Sequence, residues 1–122
     1  LKEPIRLLAA SCQAEVTAGS RVHLMIGDKD SCRQAAHDAA TDVRDQLFGK
    51  PPRMLLVFES IARRKLLGRA ITQELALIKD ILGLTVPIFG MYTYGEIAPL
   101  GSFKENRISE VHNASIVIAA IG

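Results

Sequence analysis

Apolar and polar positions along the chain change period several times, and each change marks an element. Over residues 21–26, Val22, Leu24 and Ile26 alternate with Arg21, His23 and Met25, the two-residue period of a half-buried strand. Gly27-Asp28 ends it. The period then becomes helical: Ala35, Ala36, Ala39, Ala40, Val43 and Leu47 fall on one stripe. Asp30 or Ser31 is placed to cap this helix, because a side-chain oxygen there accepts from a free N–H of the first turn. Gly49 suits the left-handed residue that closes a helix, and Pro51-Pro52 forbids continuation. Residues 54–58, MLLVF, are apolar without alternation, as in a strand covered on both faces. After a polar turn, Leu67, Ile71, Leu75, Ile78 and Leu82 define a second helix that Gly83 stops. Residues 85–94 read as a third strand, with Pro87 near its start where a missing donor is tolerated. Residues 99–113 are polar and loop-like, and 116–121 make a last buried strand. Residues 1–20 fit more than one reading: 5–10 suits a short helix or strand, and 14–18 precede the turn-like Gly19-Ser20.

This order predicts an α+β (mixed α/β) domain of two layers. Two helices pack on one face of a four- to five-stranded mixed or antiparallel sheet. The alternative is a small doubly wound parallel sheet. The last two strands are close enough in sequence to pair as a hairpin.

Composition narrows the class. The 122 residues suit one domain spanning 1–122. Trp is absent and 48% of residues are hydrophobic, so Leu, Ile, Val and Ala fill the core and disorder is not expected. The net charge is +2. Its one dense basic cluster, Arg63, Arg64, Lys65 and Arg69, has no interleaved aromatics and reads as a solvated turn, so no nucleic-acid partner is expected. Cys12 and Cys32 stand in no metal-binding spacing and read as reduced thiols of a cytoplasmic protein. Apolar runs are too short to span a membrane, and no signal-peptide pattern is present. The chain opens on LKEPIRLL rather than on Met, which suggests a fragment of a longer multidomain protein.

Catalytic motifs are missing: there is no GxSxG elbow, Walker loop, GxGxxG after a strand, or HExxH. Neither a metal nor a cofactor is expected, and no catalytic residue is assigned. The informative stretch is GMYTYGEIAPLG, residues 90–101. Gly90, Gly95 and Gly101 punctuate Tyr92, Tyr94 and Glu96. Glycine inside a strand marks a close approach by another backbone or a ligand. Tyr92 and Tyr94, two apart, share a face and offer rings and hydroxyls. Glu96 follows the bend at Gly95 and is placed to point into a pocket. The same residues also describe a plain strand end with amphipathic tyrosines and a surface glutamate.

PIFGMYTYGEIAPLG, residues 87–101, resembles the signature of the FIST C-terminal domain. LLVFESIARRKLLG, residues 55–68, resembles that family's strand ending in Phe-x-Cys-x-x-Arg, with Ser60 in place of the Cys and Arg63 at the arginine position. HNASIVIAAIG, residues 112–122, resembles its closing strand. Met91 replaces the usual Phe. Loss of the thiol removes thiol chemistry, while the Ser60 hydroxyl still donates and accepts. The resemblance covers residues 50–122 well and 20–49 only in pattern. It implies an intracellular sensory domain of prokaryotic signal transduction. Its partners would be an N-terminal FIST half and an output domain: a histidine kinase, a diguanylate cyclase or a chemotaxis transducer. It also implies a small-molecule ligand, with an amino acid as the proposed class.

These readings combine into a ligand site of Ser60, Arg63, Tyr92, Tyr94, Gly95, Glu96 and His112. The Arg63 fork beside a helix N-terminus suits a carboxylate, Glu96 suits an ammonium, Tyr92 or Tyr94 forms a wall, and His112 orients a loop or the ligand. Such a set fits a zwitterion. Against it stands a simple Arg63–Glu96 or solvent pairing, and an ordinary strand-edge His112. Two other functions compete with sensing. One is a non-catalytic interaction module that packs on a partner half or forms a homodimer, which an exposed apolar patch favours. The other is a small enzyme using Glu96 and Tyr94.

Overall fold

The computed structural model describes residues 15–21, 23, 26–99 and 108–122. Helix α1 (Lys29–Gln46) starts two to three residues earlier than the sequence suggests, because Asp28 rather than Asp30 or Ser31 is its cap. The Asp28 carboxylate accepts from the Ser31 N–H at 2.7 Å, and Ser31 Oγ accepts from the Asp28 N–H at 2.9 Å. Ser31 therefore completes a reciprocal box from the third helical position instead of capping the helix itself. The buried face of α1 is Cys32, Ala36 and Ala40, spaced by four.

Strand β1 (Met54–Ser60) runs directly into α2 (Ile61–Leu67), with Ser60 as N-cap. A 3-10 turn (Gly68–Ala70) links α2 to α3 (Ile71–Leu82). The second helix of the sequence reading is thus two helices, and its inward stripe is rotated. Leu67, Glu74, Ile78 and Leu82 are buried, whereas Leu75 is 39% exposed. Gly83 ends α3 with φ +129°, backbone that a side chain resists. The core joins Ala40 of α1, Leu55 of β1, Ile78 and Leu82 of α3, and Val86. Alanines on α1 leave no bulk between the helices, so α1 lies against α3.

Strand β2 (Ile88–Thr93) lies parallel to β1 on one side, and β5 (Ile116–Ile121) lies antiparallel on the other, giving the order β2-β1-β5. A parallel pair needs a crossover connection, which α2 and α3 supply. Strands β3 (Glu96–Pro99) and β4 (Ser109–His112) form a separate antiparallel pair. The fold is α+β with helices on one face of the main sheet. The antiparallel β5 excludes the doubly wound parallel alternative, and β2 and β5 flank β1 instead of forming a hairpin. β4 was hidden in a stretch that reads as loop, because its first three residues are exposed and its composition is polar. Of the strand expected at 21–26, Val22, Leu24 and Met25 lie outside the described residues, while Arg21, His23 and Ile26 are not in strand. Cys12 and the segment 5–10 also lie outside the described residues.

Register sorts the sheet into two faces. Leu55, Val57 and Glu59 stand with Ile88, Gly90, Tyr92, Ile116, Ile118 and Ala120 toward the helices. Leu56 and Phe58 stand with Phe89, Met91, Val117 and Ala119 on the opposite face. That opposite face is apolar as far as the Ser60–Thr93 pair at its end, yet Phe89 is 59% and Met91 62% exposed.

At Gly90 a Cβ would lie 2.1 Å from the Val57 carbonyl oxygen. A strand backbone cannot yield by that amount without breaking its pairing. Gly90→Ala is expected to destabilise the domain by about 2–4 kcal/mol, read from the urea midpoint.

Candidate functional site

Glu96 opens β3 just after the bend at Tyr94 and is 4% exposed. Its Oε1 accepts from Thr93 Oγ1, at the end of β2. Its Oε2 accepts from Ser115 Oγ at 2.5 Å, just before β5. One carboxylate therefore ties the small sheet to two strands of the main one. Charge-assisted bonds of this kind are roughly twice as strong as neutral ones. The third strand is also fixed there, because the Ser60 N–H donates to the Ser115 carbonyl at 3.0 Å. Beside Glu96 is a hollow of about 250 Å³ lined by Phe58, Thr93, Gly95, Glu96, Ile97 and Val117. It sits at the end of the apolar sheet face.

His112, opposite Glu96 in the β3–β4 register, places Nε2 2.9 Å from the Ala98 carbonyl. A carbonyl only accepts, so Nε2 carries the proton. Tyr92 and Tyr94 do not form a shared wall. Tyr92 is on β2 with the exposed Arg64 guanidinium over its ring, 4.9 Å from the centroid. Tyr94 follows the strand and is 75% exposed. Ser60 is buried and spends its hydroxyl on the Ala62 N–H at 3.4 Å.

Arg63 is not part of the basic surface turn that its neighbours suggest. It is 2% exposed and points inward from α2. Its Nη2 donates to Glu74 Oε1 at 2.7 Å and to the Cys32 carbonyl at 3.0 Å. Its Nε lies 3.6 Å from Glu59 Oε1. Arg63 and Glu96 thus engage different partners and line different hollows, Arg63 meeting one of about 430 Å³ with Cys32, Ala62 and Leu66. The structure brings Glu96 and Gly95 together, sets His112 opposite Glu96, and separates Arg63 from them.

Sequence reasoning missed Glu59 and Glu74. The signal was present: Glu74 falls on the helical stripe between Ile71 and Ile78, a position that predicts burial, and Glu59 is four residues before Arg63. Two carboxylates share one guanidinium here, which leaves the buried cluster one positive charge short. Burial, reinforced by the Glu74 charge and only partly offset by Arg63, pushes the Glu59 carboxyl up to about 7. Burial also raises the Cys32 thiol, with Arg63 opposing. The thiol is free and inert in this setting.

A FIST C domain model matches residues 7–99. The chain belongs to this family. The match contains the segments 55–68 and 87–99 and also takes in residues 20–49, where the sequence resemblance held only in pattern. It stops short of the closing strand at 112–122. The FIST C domain family is linked to sensing in signal transduction. No curated protein and no solved structure matches the chain significantly. Among the described residues no helix is long and apolar enough to cross a membrane, and no cluster of metal-ligating side chains occurs.

The Glu59 carboxyl makes stability depend on pH with a defined sign. Between its ordinary value of 4.5 and about 7 the folded chain holds a proton that the unfolded chain has released. The contribution is complete below 4.5 and disappears as pH rises through 7, a loss of at most about 3 kcal/mol. Urea midpoints are expected to fall from pH 5 to pH 8, and Glu59→Gln is expected to flatten that fall.

Proposed function

We propose that this FIST C domain is a non-catalytic regulatory input of a bacterial cytoplasmic signalling protein. Its open sheet face packs on the N-terminal FIST half of the parent chain. A small molecule, with an amino acid as the leading class, binds at the Glu96 end of that face, and the signal passes to a separate output domain. The observation that carries this reading is the apolar sheet face of Leu56, Phe58, Phe89, Met91 and Val117, which ends in the hollow beside Glu96. Exposed continuous apolar surface marks an interaction site. The hollow is smaller than the roughly 300–1,000 Å³ clefts of drug-sized ligands, so it suits a ligand of few atoms held under a covering partner. Glu96 uses one lone pair on each oxygen for a hydroxyl and keeps others for a ligand donor. Arg63 is committed to the internal cluster and takes no part, which supports recognition of the ligand mainly through its ammonium end.

A non-enzymatic role is supported by how the polar groups are used: Glu96, Thr93, Ser115 and His112 hold strands together. A second reading rests on the sheet face alone, in which the domain only docks or dimerises.

Calorimetry with the separately expressed N-terminal half and an amino-acid panel tests the proposal. Met91→Asp, at an exposed position, is expected to leave domain stability within about 0.5 kcal/mol and to abolish association. Glu96→Ala is expected to weaken ligand binding at least about tenfold, the loss of one charge-assisted contact. Association and ligand binding that survive both changes would refute the reading. Association without any ligand would leave the docking module.

A further inference from the structure

On the helix side of the main sheet, away from the Glu96 hollow, a second small hollow of about 220 Å³ opens between α3 and β2. Val57, Ile88 and Leu75 line it with alkyl groups, and Tyr92 completes the rim. Gly90 also lines it and adds no side chain. Glu59 is among the lining residues and is only 6% exposed. Its Oε1 is buried 3.6 Å from Arg63 Nε, an ion pair too long for a hydrogen bond, and neither atom has a hydrogen-bond partner; Glu74 Oε2 has none either. Unsatisfied buried polar atoms are uncommon and ask for an explanation.

The charges around Glu59 define what would satisfy it. Glu74 of α3 faces the cluster with a second negative charge, and Arg63 of α2 supplies the one buried positive charge. Cys32 of α1 contributes a thiol with a raised pKa, which carries no charge at neutral pH. Arg64 of α2 is exposed over Tyr92 of β2, where solvent screens it. The cluster holds one cation for two carboxylates, and the space beside Glu59, the more loosely paired of the two, is apolar. We propose that this hollow binds a small organic monocation, a protonated aliphatic amine whose charge pairs with Glu59 and whose alkyl chain lies against Val57, Leu75 and Ile88. In the empty protein a proton occupies the same role, consistent with the elevated Glu59 carboxyl. An amine must displace that proton, so binding tightens as pH rises. The inference does not depend on the role assigned to Glu96 or to the open sheet face.

Titration of the chain with n-butylammonium chloride, followed by amide chemical shifts and calorimetry, decides the matter. Saturable shifts are expected around Val57, Leu75 and Gly90, with affinity rising about tenfold between pH 6 and pH 8. Proton release should be seen near pH 6.5. n-Butanol, which has the alkyl chain without the charge, and ammonium chloride, which has the charge without the chain, are expected not to saturate the site. Glu59→Gln is expected to weaken binding at least about tenfold and to remove its pH dependence. Leu75→Trp, which fills the mouth from an exposed position, keeps Glu59 intact and is expected to abolish binding in a protein whose spectrum stays folded. The proposal fails if n-butylammonium gives no saturable shift at millimolar concentration. It also fails if n-butanol binds equally well, or if binding is undiminished in folded Glu59→Gln or Leu75→Trp.

Discussion

Four elements of this domain meet on one guanidinium. Arg63 projects from α2, donates to the Cys32 carbonyl of α1 and to Glu74 of α3, and faces Glu59 of β1. Burying a charge costs several kcal/mol, and the cost is recovered only when partners are close and well oriented. A fixed planar fork of five donors is pre-organised for several partners at once, whereas a lysine offers three donors on a flexible stem. The helical layer therefore has a polar anchor beside its alkyl core, and its position relative to β1 is specified rather than merely favoured. Truncating Arg63 or Glu74 would strand a charged partner in a low-dielectric setting, whereas Glu59, whose carboxyl is already pushed toward its neutral form, tolerates a neutral isostere.

Glu96 performs the corresponding service at the end of the sheet. The main sheet and the β3–β4 pair share no hydrogen-bonded ladder. Two hydroxyls, Thr93 from the end of β2 and Ser115 from the approach to β5, converge on its carboxylate instead. The FIST C segment at residues 90–96 thereby acquires a physical meaning. Gly90 permits two backbones to approach, Thr93 supplies a hydroxyl, the chain bends at Tyr94, and Glu96 receives what the bend brings together. Function, on the proposed reading, uses the apolar surface and the hollow that this arrangement leaves beside it.

Much of the fold could be read from the chain because burial follows period. The α1 stripe, the apolar run of β1 and the bounds of β5 were all legible, as was the two-layer α+β class. The failures have specific causes. β4 is polar and exposed, so its hydrophobic pattern carried no signal. The second helix looked continuous because leucine at 75 fits the stripe as well as glutamate at 74 does, and only the Arg63 partnership turns Glu74 inward. The bend before Glu96 suggested a carboxylate turned back from the surface, and Glu96 is indeed buried, but spacing alone could not tell that α2 would carry Arg63 into the helical layer. Long-range pairing of charges is set by topology, and strand order is the property that a single sequence expresses least.

The central position of β1 has a consequence for how the sheet is assembled. Its pairing with β2 closes over the α2–α3 crossover, a connection that supplies its own helical structure. Its pairing with β5 joins Leu55 to Ala120, across most of the described chain. Loop-closure entropy makes such distant contacts late and slow to form. Until β5 arrives, β1 presents a row of unpaired N–H and C=O groups beside an apolar face, the combination that recruits foreign strands. Assembly order, as much as final stability, then determines whether the chain ends as a monomeric sheet or as an aggregate.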